Sequence, residues 1–140
     1  MEVKVSMSYL DDEKYSVKNV SGNELVVDMY ARDKKENLSP MELLLSAVTT
    51  CAAVEVVSMI KKRRRDFKDI KAETSGVRAD THPMYYKEIN VKYIIYSNDL
   101  KDNEADRFIS LALTKYCSCL LYTSDAADEG LGVDLGGRRI

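Results

Sequence analysis

The chain has 140 residues, 45% hydrophobic and 31% charged, the balance of a folded globular protein rather than a disordered one. That length suits one domain, which would bury about two-thirds of its unfolded surface. A net charge of −2 argues against a general polyanion binder, and three cysteines (Cys51, Cys117, Cys119) make an odd count.

The N-terminal stretch MEVKVSMSYLDDEKY has no apolar core behind a basic head, so no signal peptide is expected. Reduced thiols in a cytoplasm follow as the default, with any disulfide catalytic or sensing rather than structural. Residues 2–9 alternate, with Val3, Val5, Met7 and Tyr9 on one face, and predict a half-buried strand. A second short strand at 14–20 reaches the turn cluster Ser21-Gly22-Asn23. A third, at 24–30, puts Leu25, Val27 and Met29 together, giving a hairpin-rich sheet. Polar residues 31–38 lead into SPMELLLSAVTTCAAVEVVSMIKKRRR, residues 39–65.

That run starts as a helix should. Ser39 can accept from the N3 amide while Glu42 reaches back to the N-cap N–H, and Pro40 at N1 gives up no needed donor. Five consecutive cations end it, complementing the negative pole of the helix. At 1.5 Å per residue it is about 40 Å long, enough to cross a bilayer. Glu42 and Glu55 lie inside the apolar run, however, and a carboxylate near mid-span costs about 2.5–3.5 kcal/mol. The preferred reading is a central helix buried on several sides. So small a domain can hardly surround it, so a homodimer is expected. The KKRRR run, without aromatic interleaving, reads as a solvated helix end; neither nucleic acid nor membrane is an expected partner.

Residues 69–79 alternate weakly, His82-Pro83 sits in a turn, and 86–96 alternate strongly with Ile89, Val91, Tyr93 and Ile95 on one face. A loop at 97–102 precedes a second helix at about 102–117, with Ala105, Phe108, Ile109, Ala112, Leu113 and Tyr116 at helical spacing. Sheet, helix, sheet, helix is an α+β order. The last twenty residues carry four of the six glycines and no sustained periodicity.

Cys51 at mid-helix reads first as a small buried hydrophobe, usually inert, and only second as a reactive thiol. Glu55, one turn on, would discourage a thiolate, so a reactive Cys51 needs a cation or a protonated Glu55; otherwise Glu55 is helix-face polarity or a buried acid paired with an arginine. Cys117-Ser118-Cys119 is too tight for the usual CxxC zinc spacing, and His82 is the single histidine, so no metal and no cofactor are expected.

Residues 39–62, SPMELLLSAVTTCAAVEVVSMIKK, together with LALTKYCS at 111–118, resemble the OsmC/Ohr family. The two motifs place their cysteines 66 residues apart, and the order of elements agrees from residue 1 to about 118. The resemblance implies an OsmC-like α+β fold in which antiparallel sheets wrap two central helices of an intertwined homodimer. It also implies thiol peroxidase chemistry. Cys51 would attack an organic hydroperoxide or H2O2 and become a sulfenic acid, and Cys117 would resolve it as a disulfide for an external dithiol reductant. Their Cα atoms must then approach within about 7 Å. A mid-helix thiolate gains little from the dipole, so Arg32 is the candidate cation, with Glu55 as fourth site residue.

Better-studied peroxidase members carry Pro-Glu at the helix start, that glutamate clamping an arginine; Met41 stands there instead, with Glu42 following as a capping residue. The alternative is a non-enzymatic, stress-related or small-ligand-binding dimer of the same fold. Residues 119–140 do not resemble the family. LYTSDAADE…VDLGGRRI looks like translated adapter or assembly read-through, so residues 1–118 are the expected domain and Cys119 is expected to carry no function. Loss of a natural last strand would leave a sheet edge unpaired.

Overall fold

The computed structural model describes residues 1–120 in full and the backbone of residues 132–139. Of the tail expected to be foreign, residues 121–131 and 140 lie outside the described residues. The chain divides into two compact units, Met1–Leu44 and Leu45–Ile140.

The first unit is an antiparallel meander of β1 (Val5–Asp11), β2 (Lys14–Asn19) and β3 (Glu24–Asp28). Met7 faces Val17 and Leu25 pairs with Val17 from the other side, so the register is set by the alternation seen in the sequence. Contrary to expectation, β1 is exposed along its whole length, and Leu25 and Met29 are exposed too. Within this unit, no described residue covers the apolar face that the alternation creates.

Asp28 closes this unit. Its fully buried carboxylate accepts from Lys35 Nζ (2.7 Å), the backbone N–H groups of Glu36 (3.0 Å) and Asn37 (2.6 Å), and Asn37 Nδ2 (3.2 Å). Burial opposes the charge, but these donors outweigh it and hold the carboxyl well below the usual carboxylate range. The loop after β3 is thereby pinned, with a one-turn 3-10 helix at Arg32–Lys34 on it.

The long helix α1 (Pro40–Lys62) begins with the expected capping box: Ser39 Oγ accepts from Glu42 N–H (3.2 Å) and Glu42 Oε1 accepts from Ser39 N–H (2.9 Å). It ends in a Schellman motif. Arg64 takes a left-handed φ of 57°, Arg64 N–H reaches Lys61 O and Arg65 N–H reaches Ile60 O. The side chain of Arg65 pairs with Glu104 at 3.2 Å.

In the second unit β4 (Asp69–Arg78) and β5 (Tyr86–Tyr96) pair antiparallel, and Ile89, Val91, Tyr93 and Ile95 are all buried, as the alternation predicted. Gly76 on β4 lets the buried Tyr86 ring lie against the backbone; a Cβ there would sit 2.5 Å from ring carbons. The second helix, α2 (Asp102–Leu111), buries Ala105, Phe108 and Ile109, and then widens into a π-turn over Ala112–Tyr116. That turn buries Ala112 and Leu113, but its extra residue per turn carries Tyr116 off the predicted apolar stripe, leaving it exposed. Residues 132–139, which lack any strand periodicity, form β6 (Gly132–Arg139), parallel to β5 and on the side away from β4. The free edge of β5 is thus paired, since backbone donors and acceptors need no side-chain pattern to form a ladder.

Candidate functional site

All three thiols are in the second unit. Cys51 sits half-buried at mid-length in α1, one residue before the fully buried Ala52 of the stripe Val48, Ala52, Val56 and Ile60. Cys117 follows the π-turn, which closes by a 2.8 Å bond from Cys117 N–H to Ala112 O; its backbone turns extended there and its side chain is buried. Cys119 is half-buried, its thiol directed to Ala47 O at 3.8 Å.

The structure brings all three Sγ atoms within 4.8 Å of one another. A disulfide at about 2.05 Å therefore needs Cys51 and Cys117 to close by less than about 3 Å. Three sulfurs so placed could also hold a soft, thiophilic ion. Spacing within Cys-Ser-Cys disfavoured a metal, but the third sulfur comes from another helix and the short interval is not the constraint.

The thiols differ electrostatically. Burial opposes ionisation of Cys51, but the backbone N–H of Cys119, the Cys117 and Cys119 thiols and the backbone N–H of Ser118 outweigh it, so Cys51 lies below an ordinary thiol. Burial pushes Cys117 up to about 11, assisted by its role as donor to Cys51 and by the Cys51 charge. Cys119 is raised by burial and by Cys51 as well. One thiol is shifted toward ionisation and its neighbour away from it.

Two tethers fix the turn of α1 that bears Cys51. Tyr93, fully buried on β5, donates its hydroxyl to Thr49 O at 2.6 Å. Thr49 Oγ1 donates to Leu45 O at 2.7 Å and lies 2.5 Å from Thr74 Oγ1 on β4. Sequence reasoning placed Tyr93 only on a core face and did not single out Thr49. It also missed the Ser118 and Cys119 amides, since backbone donors leave no side-chain signal.

The remaining expected site residues are each described on their own element. Glu55 is half-buried one turn beyond Cys51 and, among the described residues, has neither an ion pair nor a hydrogen-bond partner. Arg32 is exposed on the pinned loop of the first unit. Glu42 serves the helix cap. An open groove on α1, lined by Val54, Val57, Ser58, Lys61 and Lys62, contains no cysteine.

Residues 32–127 match the family model described as "OsmC-like protein". This chain belongs to the OsmC family. It is similar to protein YhfA of Escherichia coli (strain K12), with 34% identity over 110 residues that cover 79% of this chain and 81% of YhfA. The fold matches the crystal structure of an OsmC-like protein from Mycoplasma pneumoniae with a TM-score of 0.84 at 15% identity, covering 100% of this chain and 98% of that one. It also matches an organic hydroperoxide resistance protein OsmC from Legionella pneumophila with a TM-score of 0.68 at 14% identity, covering 99% and 97%. This OsmC-family chain therefore carries its two motif cysteines at one place in a known α+β fold.

Proposed function

We propose that this OsmC-family protein is a thiol peroxidase that reduces organic hydroperoxides or H2O2 through Cys51 and Cys117. The observation that carries the reading is the approach of these two sulfurs, within 4.8 Å, with Cys51 shifted toward thiolate and Cys117 away from it. The Cys51 thiolate attacks the O–O bond, takes one oxygen as a sulfenic acid and releases an alkoxide that leaves as alcohol after protonation. Cys117 then attacks the Cys51 sulfur, the S–S bond forms and water departs. An external dithiol reduces the disulfide, becoming oxidised in turn. Arg32 is the proposed added cation for the thiolate, and Glu55, one turn away, tunes its charge. A family relation to a hydroperoxide resistance protein supports the substrate class.

The working form is proposed to be a homodimer in the cytoplasm. Val5, Met7 and Tyr9 on β1 remain 61–70% exposed in one chain, and α1 buries only one stripe, leaving Val54 63% exposed. That much apolar surface fits a second copy. α1 has the length and hydropathy of a membrane span, yet its capping box, its Schellman end and the Arg65–Glu104 pair fit a core helix of such a dimer. The family match runs on to residue 127, and no step of the proposed mechanism uses the Cys119 thiol.

Purified protein given a dithiol should consume cumene hydroperoxide, and Cys51→Ser should abolish consumption. Unchanged consumption by Cys51→Ser would overturn the proposal. The non-enzymatic reading draws on Met41 and on Glu42, whose carboxylate is engaged with Ser39 and stands 3.9 Å from Lys35; absence of peroxide consumption by the native chain would favour it.

A further inference from the structure

Tyr93 is the one fully buried tyrosine among the described residues, and its hydroxyl donates at 2.6 Å to a carbonyl in the middle of α1 rather than to a loop or to solvent. Helix geometry already provides that carbonyl, on Thr49, with the N–H four residues later. The phenol therefore adds a second donor where the helix needs none. A second hydroxyl from the neighbouring strand, Thr74 on β4, meets Thr49 through its Oγ1. Ala72 and Tyr93 are register partners, and so are Thr74 and Val91, so the two tethers come from adjacent, staggered points on one sheet and converge on one helical residue. Cys51 lies two residues further along. The phenol ionises less readily chiefly because it is buried. It thus remains a donor across the working pH range.

We propose that Tyr93 is a positioning residue for the Cys51–Cys117 pair, its hydroxyl locking the Cys51-bearing turn of α1 to the sheet so that the two sulfurs meet. This rests on the reading of those thiols as a redox pair. An untethered turn can slide or rotate against β5, and each successive residue on a helix points about 100° from the last. A small rotation thus swings Cys51 Sγ away from Cys117. Attack on a small peroxide tolerates that motion, since it needs only a thiolate and an open approach. Closure of the disulfide does not, because both sulfurs are carried by the protein.

Tyr93→Phe keeps the buried ring and removes only the hydroxyl. Two oxidants read it. With hydroperoxide, dimedone trapping follows sulfenic acid on Cys51 and mass spectrometry follows the Cys51–Cys117 disulfide. With diamide, two thiols are oxidised to one disulfide while the reagent is reduced to its hydrazine, so closure is read without peroxidase chemistry. Tyr93→Phe is expected to form sulfenic acid within about twofold of the native rate at saturating pH but to close the disulfide about tenfold more slowly with either oxidant, the scale of a sub-ångström misplacement. Thr74→Val, which removes the other tether, should slow closure in the same direction and serves if Tyr93→Phe does not fold. Native closure rates in folded Tyr93→Phe and Thr74→Val would overturn the proposal. If the native protein resists peroxide yet diamide closure still depends on Tyr93, the peroxidase reading fails and the positioning role stands. If diamide closes no Cys51–Cys117 bond in the native protein, both fall.

Discussion

Cys51 and Cys117, 66 positions apart in the chain, hold their sulfurs within 4.8 Å of each other, one disposed to ionise and the other to stay protonated. Two thiols of equal acidity would give no order of events. In the proposed mechanism this asymmetry makes Cys51 the attacking sulfur and Cys117 the one that waits. Once Cys51 becomes a neutral sulfenic acid, the charge that helps keep Cys117 protonated is gone, and the second thiol becomes easier to ionise when its turn comes.

The rate of Cys51 alkylation by iodoacetamide should therefore rise with pH to a midpoint below that of an ordinary cysteine, near 8.5. Cys117, pushed up to about 11, should remain slow throughout the neutral range. Peptide mapping of partially alkylated protein separates the two. Equal midpoints would remove the electrostatic basis for their roles.

Asp28 governs acid stability in the first unit. Its carboxyl is held below its unfolded value, so its stabilising effect is fully present above about pH 4 and is lost as pH falls toward the folded value. Asp28→Asn keeps the size but loses the charge that Lys35 and the backbone donors address. Thermal melts from pH 7 down to pH 3 should show a lower melting temperature at neutral pH and a flatter dependence on acid than the native protein.

Much of this architecture was legible in the chain. The alternation over 86–96 gave the buried face of β5, and Ser39 with Glu42 gave the start of α1 down to its two reciprocal hydrogen bonds. Side-chain patterns write such features directly into sequence. Other features leave no such trace. The π-turn that rotates Tyr116 outward and releases Cys117 is a choice of backbone hydrogen bond. The amides of Ser118 and Cys119 that assist Cys51 belong to every residue type. Tyr93 read as one more core aromatic because nothing local shows where a hydroxyl will point. The pairing of β6 with β5 likewise depends on an open edge rather than on the glycine-rich sequence that fills it.

Gly76 should not tolerate a side chain. A Cβ there meets the Tyr86 ring at 2.5 Å and Leu45 Cδ2 at 3.2 Å, and that ring is itself buried. Gly76→Ala should cost about 1–3 kcal/mol, the range for overpacking, measurable as a lower urea midpoint with an unchanged slope.

Cys119 should prove dispensable. Its thiol lies beside the pair, but its help to Cys51 comes first through the backbone N–H, which Cys119→Ser retains. Peroxide turnover in that variant should stay within about twofold of native, as expected for a change that leaves the reacting sulfurs and their main donors in place. A loss of tenfold or more would bring the third thiol into the mechanism.

The most direct measurement is mass spectrometry of the non-reduced protein after one equivalent of hydroperoxide. The expected main product is a Cys51–Cys117 crosslinked peptide, with Cys117→Ser instead accumulating a dimedone-reactive Cys51. A native protein that leaves both thiols free, or oxidises them independently to sulfinic acids without joining them, would contradict the proposed mechanism.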